Sequence, residues 1–355
     1  MFEIASKYLI MHIIVDGFGG DEPQEITKGV VDSLCADKDI KVTLTGDKAI
    51  LQSFLTKIGA TATALVGNGR LTLLHAPDVI SNNDAPAIAI KNKKESSLVK
   101  AIDLLNSSSE YVGLISAGST GAVLAGGVFK VGRLDGVRRP TLISAMPTSQ
   151  GDKIVLLSDT GANMDCTPDF LIQFAHIASI YSMAAFKTQN PKIALLNVGP
   201  EEKKGNELIQ KTHKLLLEEK ALNFVGNMEA RDALSGDFDV ILTDGFGGNV
   251  LLKGIEGTAK MIFSELKGVF KHNIFTKFGT LFLLKRLKKL LRRMDYHKMG
   301  GAPFLGINKL VIKAHGSSKS TSIEACIKQI KTMHSENLIQ KIAERISTLQ
   351  DTEKL

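Results

Sequence analysis

The sequence predicts an α/β protein in three layers, with a mostly parallel sheet covered by helices on both faces. Short apolar segments typical of buried strands alternate along the chain with amphipathic segments of helical period. Glycine-rich turns follow several of these strands, at the edge where parallel sheets bind their ligands. Together these observations predict one ligand site built from strand ends.

The predicted elements can be placed from periodicity alone. Strands are predicted at residues 13–15, 41–44, 111–115, 141–145, 154–157, 192–197 and 240–243. Amphipathic helices are predicted at residues 26–34, 48–58, 98–105, 168–185 and 206–219. The uncharged run 111–129 is long enough to span a bilayer, but its glycines and hydroxyl side chains predict a strand, a turn and a helix instead.

No low-complexity linker divides the chain, so a single catalytic domain is expected over residues 11–340. The turn-rich residues 146–152 are the place where it could separate into two lobes around a cleft. Residues 255–297 are predicted to form a helical excursion from this domain, a protruding helical pair that makes dimer and membrane contacts.

The composition is that of a soluble globular protein, with 44% hydrophobic and 23% charged residues in 355. A net charge of +7 is compatible with phosphate, an acidic carrier protein, anionic lipid or nucleic acid as partner. The cysteines Cys35, Cys166 and Cys326 are too scattered for a disulfide framework or a metal set, which indicates a reducing cytosol. The first ten residues lack the cationic, apolar and cleavage-site pattern of a signal peptide.

Two nearly identical glycine-rich turns lie far apart in the chain, at residues 16–21 (DGFGGD) and 244–249 (DGFGGN). Glycine allows close approach of a ligand to the backbone, and the N–H groups at the start of a helix attract anions. One such turn alone is more often an ordinary strand-to-helix connection. Its repetition favours a functional role.

Three further strand ends share the same chemistry. They are residues 116–122 (SAGSTGA), 159–165 (DTGANMD) and 197–199 (NVG), the last leading to 203–206 (KKGN). Each offers small residues together with a hydroxyl, an amide or a carboxylate. We predict that the five strand ends converge on one crevice suited to a phosphate and a carbonyl oxygen, both of which need N–H donors.

Several common motifs are absent from the sequence. No G-x-G-x-x-G follows the first strand, no G-x-S-x-G elbow occurs, and no H-E-x-x-H zinc motif is found. No cofactor, metal or serine nucleophile is therefore expected. Among the eight histidines, His315 is singled out because it follows the strand-like residues 309–312, and a structural role for it is weighed equally with a site role.

At this level of detail the motifs resemble those of the bacterial phosphate acyltransferases of phospholipid synthesis, the PlsX type. The similar segments run in order from about residue 11 to 330: 16–21, 75–77 (HAP), 94–97 (KESS), 116–122, 161–163 (GAN), 195–199 (LLNVG), 204–208 (KGNEL), 223–227 (NFVGN), 244–246 (DGF) and 300–303 (GGAP). The chain departs from the family pattern at Gly17-Phe18, usually alanine-methionine, at Ser119, usually asparagine, and at Thr160, usually valine.

The resemblance implies transfer of a fatty acyl group from acyl carrier protein to inorganic phosphate, giving acyl phosphate. It implies a fold like that of isocitrate and isopropylmalate dehydrogenases. It also implies a homodimer that is cytoplasmic, attached peripherally to the inner face of the cell membrane, and followed in its pathway by a membrane glycerol-phosphate acyltransferase.

Phosphate is itself a nucleophile, so the predicted site has to position it and to stabilise an oxyanion. The catalytic candidates are Asn163, Asn197, Asn227, Asn249 and Lys253. The candidates for binding phosphate or the acyl group are Asp16, Gly19, Gly20, Lys94, Ser96, Gly118, Ser119, Thr120, Gly121, Lys204, Gly245, Gly247 and His315. For any one of the lysines a solvated surface role is the more common one. Asp16 and Asp244 would repel a phosphate in direct contact, so they are expected to fix their turns by accepting backbone N–H bonds or to orient a lysine.

Residues 275–294 combine a leucine face with a basic face at helical spacing. An interfacial membrane anchor and a helix that buries its leucines in a core or dimer seam both explain this pattern. The candidates for membrane contact are Phe275, Phe278, Leu281, Phe282, Lys288 and Lys289.

Two other functions were weighed against acyl transfer. A nicotinamide-dependent dehydrogenase would suit the predicted sheet but lacks the G-x-G-x-x-G turn. A non-catalytic membrane scaffold would use residues 275–293. A nucleic-acid partner is not expected, because no aromatic platform or known binding motif accompanies the basic charge.

Overall fold

The computed structural model describes residues 10–271, residue 283 and residues 299–353. The chain divides into two compact units. Unit 1 contains Met1–Ile143, His176–Gln189 and His297–Leu355, and unit 2 contains Ser144–Ala175 and Asn190–Tyr296. The predicted α/β class with a mostly parallel sheet is confirmed.

The described strands are β1 (Met11–Asp16), β2 (Ile40–Gly46), β3 (Leu71–His75), β4 (Tyr111–Ser116), β5 (Thr141–Pro147), β6 (Ile154–Ser158), β7 (Lys192–Asn197), β8 (Asn223–Glu229), β9 (Val240–Leu242), β10 (Ala302–Leu305) and β11 (Leu310–Lys313). The described α-helices are α1 (Pro23–Ala36), α2 (Lys48–Ile58), α3 (Ala60–Gly67), α4 (Pro86–Asn92), α5 (Ser97–Ser107), α6 (Thr120–Gly126), α7 (Pro168–Phe186), α8 (Glu207–Glu218), α9 (Gly245–Lys271), α10 (Ser320–Ser335) and α11 (Leu338–Glu353). A π-helical turn, Gly127–Val131, continues α6.

In unit 1 the strands follow the order β3-β2-β1-β4-β11-β10, and residues 141–143 of β5 come next in the sheet. The first five are parallel to one another. In β1, Ile13, Ile14 and Val15 are consecutive and fully buried, which requires cover on both faces of the sheet. The carboxyl ends of these strands therefore lie along one edge, as predicted.

The exception in unit 1 is β10, which runs antiparallel to both β11 and β5. Only a short turn joins β10 to β11, and such a connection permits an antiparallel pair but not a parallel one. The alternation of strands and helices did not predict this hairpin.

Unit 2 has the strand order β6-β9-β7-β8, and all of its described pairs are parallel. Its core is formed by Met146, Val155, Leu157, Ala194, Met228, Ala233 and Ile241. Leu251, Leu252 and Ile255 of α9 pack against this core. The first turns of α9 are therefore fixed by apolar contacts.

Further along, α9 exposes apolar side chains, with Met261 61% and Val269 60% exposed. The helix covers the start of the predicted excursion at 255–297. The residues predicted to contact a membrane, Phe275, Phe278, Leu281, Phe282, Lys288 and Lys289, lie outside the described residues.

Helix α7 is the described helix whose length and composition would allow it to cross a membrane. Of its most apolar window, 67% is buried, which is ordinary for a core helix. The uncharged run at 111–129 forms β4, a turn and α6, and its helical part continues in the π-helical turn.

Candidate functional site

A row of polar residues crosses the carboxyl edge of the sheet in unit 1. Thr45 of β2 pairs in register with Asp16 of β1, Asp16 with Ser116 of β4, and Ser116 with Lys313 of β11. Each follows an apolar stretch and ends or nearly ends its strand. Of this row, Asp16 was a predicted site residue and Lys313 was not.

Asp16 and Ser116 link the first two glycine-rich turns. The Ser116 hydroxyl donates to Asp16 Oδ2 at 2.7 Å and accepts the Gly118 N–H at 3.1 Å. The Phe18 N–H donates to Asp16 Oδ1 at 3.3 Å. The carboxylate therefore fixes its turn through backbone N–H groups, as expected, and the Gly118 N–H is already used within the protein.

Gly19 is required where these two turns meet. A Cβ at this position would lie 2.5 Å from Asp16 Oδ2 and 2.6 Å from the Gly118 nitrogen. Neither neighbour can move without breaking the hydrogen bonds of Asp16 and Ser116. The glycine permits the close approach of the two backbones.

The Asp16 side chain is buried, and burial raises the pKa of its carboxyl group, against hydrogen bonds that favour the charged form. Such a group stabilises the fold most at a pH below its unfolded pKa, and that contribution is lost as the pH rises through the folded pKa. Asparagine does not titrate, so its contribution to stability does not change with pH. We therefore expect the melting temperature of Asp16→Asn, relative to wild type, to rise between about pH 4 and pH 8.

Thermal denaturation of both proteins across this pH range measures the difference. Asp165→Asn, which changes an exposed carboxylate, is the control. A difference between Asp16→Asn and wild type that stays constant with pH would contradict the account.

The Lys313 ammonium lies at the same edge. Its Nζ donates to the Ala117 carbonyl oxygen at 3.5 Å and also to the carbonyl oxygen of Ala314. Burial lowers the pKa of Lys313 to about 8, and the nearby carboxylates of Asp16 and Asp21 oppose that shift. The side chain brings a positive charge next to the turn at 116–122.

The other candidates of unit 1 are less closely connected. Lys94 and Thr120 are exposed, and Ser119 makes no capping bond to α6. Ser96 is buried and caps α5, accepting the Val99 N–H, so its role is at least partly structural. Gly20 and Gly121 lie against neighbouring side chains, Ala117 and Pro86 respectively.

His315 lies in a turn that contacts the first glycine-rich turn through the backbone. The Asp21 N–H donates to the Gly316 carbonyl oxygen at 2.9 Å. His315 itself is exposed, and its Nδ1 lies 2.8 Å from the Ser317 hydroxyl oxygen. The structure thus brings together three loops of unit 1, at residues 16–21, 116–122 and 314–318.

In unit 2 a second pair of turns is organised around Asp159. Its Oδ1 accepts the N–H groups of Gly161 at 3.2 Å and Ala162 at 3.1 Å. Its Oδ2 accepts the Asn163 N–H at 2.7 Å and the Asn163 side-chain amide at 2.9 Å. The turn at 159–165 is therefore wound around its own buried carboxylate.

The turn at 244–249 packs directly on this one. The Gly245 N–H donates to the Asn163 carbonyl oxygen at 2.8 Å, and the Gly247 N–H donates to Asp244 Oδ1 at 2.6 Å. Asp244 thus caps α9 as expected. The N–H groups of Gly245 and Gly247, both predicted to bind the ligand, therefore make hydrogen bonds inside the protein.

The four candidate asparagines differ in what their side chains contact. The Asn197 amide donates to the Lys204 carbonyl oxygen at 3.2 Å. The Asn227 amide donates to the Glu201 carbonyl oxygen at 3.0 Å, and its oxygen lies 2.9 Å from His213 Nδ1. These two side chains hold the loop at 198–206, which carries the exposed Lys204.

Asn249 is different, because its amide makes no hydrogen bond within the described part of the chain. It is half-buried and faces Gly161, where an added Cβ would lie 3.4 Å from the Asn249 Nδ2. Lys253 follows one helical turn later on α9 and is exposed. Of the asparagines predicted to donate to an oxyanion, Asn249 retains its full hydrogen-bonding capacity.

Cys166 lies beside these turns, but it does not supply a thiolate. Burial, with the neighbouring Asp159 carboxylate, raises the pKa of its thiol to about 12. Among the described residues no group of three or more histidine, cysteine, aspartate or glutamate side chains could hold a metal ion.

The structure therefore forms one cluster of strand-end turns in each unit. Convergence of all five on one crevice stays a prediction. Neither Lys313 nor Asp159 was predicted as a site residue, although Lys313 ends β11 and Asp159 directly follows β6, each next to a turn identified in the sequence. A charged residue at or just after the carboxyl end of a buried strand was the sequence signal that could have identified both.

Comparison with protein families gives one matching family model, described as fatty acid synthesis protein, over residues 11–341. A putative phosphate acyltransferase of Clostridium perfringens is 43% identical over 338 residues, covering 95% of this chain and 97% of the relative. A phosphate acyltransferase of Thermoanaerobacterium thermosaccharolyticum is 42% identical over 342 residues, covering 96% and 98%. These relatives support phosphate acyltransferase activity and do not favour a dehydrogenase or a non-catalytic scaffold.

Solved structures agree on the fold. A phosphotransacetylase from Streptococcus pyogenes has a TM-score of 0.57 at 14% identity, covering 94% of this chain and 98% of its own. A branched-chain phosphotransacylase from Enterococcus faecalis has a TM-score of 0.55 at 13% identity, covering 91% and 98%. At such low identity these matches establish shared architecture only.

Proposed function

Because the chain belongs to the family of fatty acid synthesis proteins whose curated relatives are phosphate acyltransferases, we propose that it transfers a fatty acyl group from acyl carrier protein to inorganic phosphate. The product is acyl phosphate, which supplies phospholipid synthesis. The observation that carries the proposal is identity above 40% to such enzymes over nearly the whole chain.

In the proposed reaction an oxygen of hydrogen phosphate attacks the thioester carbonyl carbon, forming a C–O bond. The C–S bond then breaks, and the carrier leaves as a thiolate that takes up the phosphate proton. Positioning the two reactants can supply about 7–11 kcal/mol in favourable cases. No protein nucleophile is needed, which is consistent with the raised pKa of the Cys166 thiol.

The developing oxyanion needs a donor, and we assign that role to the Asn249 amide. One oxyanion donor is worth about 3–4 kcal/mol. We expect Asn249→Ala to lower kcat for acyl transfer about 100-fold with little effect on the melting temperature. The control is Thr258→Ala, which should retain activity, because within the described residues the Thr258 hydroxyl bonds to the Gly254 carbonyl oxygen of the same helix.

The net charge of +7 supports an acidic carrier protein as donor and an anionic membrane surface as docking site. We also propose a homodimer, attached to the inner face of the cell membrane through residues 275–289, which supplies a membrane glycerol-phosphate acyltransferase. Charge reversal at Lys288 and Lys289 should then abolish co-sedimentation with anionic liposomes. Unchanged binding would exclude electrostatic attachment.

The donor is tested by measuring thiol release from acyl carrier protein and from acyl coenzyme A, each with and without phosphate. The proposal expects phosphate-dependent release that is much faster with the carrier protein. Preference for coenzyme A would overturn the donor assignment. Absence of phosphate-dependent release with every chain length would overturn the function.

A further inference from the structure

The Lys313 ammonium lies beside the glycine-rich turn at 116–122 of unit 1, and none of the sequence motifs predicted it. We propose that the Lys313 ammonium binds the phosphate acceptor at the strand ends of unit 1. The inference rests on the proposed function for the identity of the anion, but its geometry stands independently of the acyl donor.

The position of Lys313 supports a role in ligand binding. Lys313 ends β11 in the same register row as Ser116 of β4 and Asp16 of β1. All three belong to adjacent parallel strands, and ligands of parallel sheets bind at this edge. The predicted lysines Lys94, Lys204 and Lys253 are instead exposed on loops or on a helix.

The hydrogen-bonding capacity of the Lys313 ammonium supports the same role. An ammonium group has three N–H donors. Within the described residues Lys313 Nζ has two acceptors, the carbonyl oxygens of Ala117 and Ala314. These bonds direct the charge between the loops at 116–122 and 314–318, and one N–H remains for a ligand.

The charges around Lys313 also favour a bound anion. The ionisable groups around Lys313 are Asp16 on β1, Asp21 in the following turn and Cys326 on α10. The Asp16 carboxylate already accepts bonds from Ser116 and Phe18, and burial raises the pKa of the Cys326 thiol to about 12. None of these groups forms a direct ion pair with Lys313 within the described residues, so its charge is available to a bound dianion.

Because Lys313 can lose its charge, anion binding at this site should depend on pH. Burial lowers the pKa of Lys313 to about 8, so the ammonium form decreases across the neutral to alkaline range. If an anion binds only to the ammonium form, its affinity should be about tenfold weaker at pH 9 than at pH 7. Arginine stays charged over this range, so Lys313→Arg should remove the dependence.

The experiment measures sulfate binding to the full-length protein by isothermal titration calorimetry at pH 7, 8 and 9, without acyl donor. Sulfate is chosen because it does not titrate in this range, whereas phosphate does. Wild type should lose about tenfold in affinity, Lys313→Arg should show a flat profile, and Lys313→Met should bind at least tenfold more weakly at pH 7.

Lys309→Met is the matched control, because Lys309 lies just before the opposite end of β11 and its Nζ bonds to the Ser108 carbonyl oxygen at 3.2 Å. It should keep the wild-type profile. In steady-state assays Lys313→Met should raise the KM for phosphate and leave the KM for the acyl donor unchanged, which separates free phosphate from a phosphate group on the carrier.

A flat wild-type profile, or full sulfate affinity in Lys313→Met, would overturn the inference. The pH profile of sulfate affinity in the wild-type protein tests the inference even if a variant fails to fold. If the wild-type protein binds sulfate with the expected pH profile but shows no acyl transfer, the proposed function is overturned and the Lys313 site stays in place.

Discussion

Gly248→Ala is expected to destabilise the protein by about 3 kcal/mol or more and to abolish acyl transfer. A Cβ on Gly248 would lie 1.9 Å from the Asp159 carbonyl oxygen and 3.0 Å from its carbonyl carbon. Both atoms belong to backbone that is itself fixed, since the Asp159 N–H donates to the Thr243 carbonyl oxygen at 2.9 Å. The two turns of unit 2 would have to separate.

Chemical denaturation followed by circular dichroism measures the loss of stability. The control is Gly257→Ala in the same helix, because a Cβ there meets no atom within 4 Å. That variant should gain about 0.5–1 kcal/mol, since alanine favours a helix interior over glycine. Equal stability of the two variants would show that the close approach at Gly248 is not required.

Asp159→Ala is expected to cost about 4 kcal/mol of stability, because it removes the acceptor of four hydrogen bonds inside unit 2. The N–H groups of Gly161, Ala162 and Asn163 would lose the carboxylate that fixes their turn. Bonds to a charged acceptor are worth about 1.5–3 kcal/mol each before relaxation and water entry reduce the sum.

Acyl transfer should fall along with stability, because the Asn163 carbonyl oxygen accepts the Gly245 N–H at the start of the helix that carries Asn249. Asp165→Ala changes an exposed carboxylate at the other end of the same turn and should alter stability by less than about 0.5 kcal/mol. The same denaturation experiment compares the pair. A loss below 1 kcal/mol in Asp159→Ala, on the scale expected for surface changes, would contradict this account of the turn.

Much of the fold follows from local sequence patterns. Most of the parallel strands were predictable because strands buried on both faces are continuously apolar, as in Ile13 to Val15. The parallel strands β3 and β8 were not predicted, since most of their residues are only partly buried. β10 was not predicted either, because its antiparallel pairing depends on how the C-terminal segment returns to the sheet. The sequence of residues 302–305 has no periodicity that distinguishes an antiparallel strand from a parallel one.

The candidate site was predictable at the level of turns but less so at the level of side chains. The expectation that Asp16 and Asp244 accept backbone N–H bonds in their turns is confirmed. The sequence did not show that the Gly247 N–H is used by Asp244, or that Asn227 is held by His213 and Glu201. These contacts join residues that do not belong to a recognisable sequence motif, so the sequence alone does not predict them.

The most direct test of the proposed function is the fate of labelled phosphate. Acyl carrier thioester and phosphate labelled with ¹⁸O at all four oxygens are mixed with the protein, quenched and analysed by mass spectrometry. Direct attack by phosphate predicts acyl phosphate that retains all four labelled oxygens, formed in step with free carrier thiol. Free fatty acid and carrier thiol without labelled acyl phosphate at any early time would contradict it.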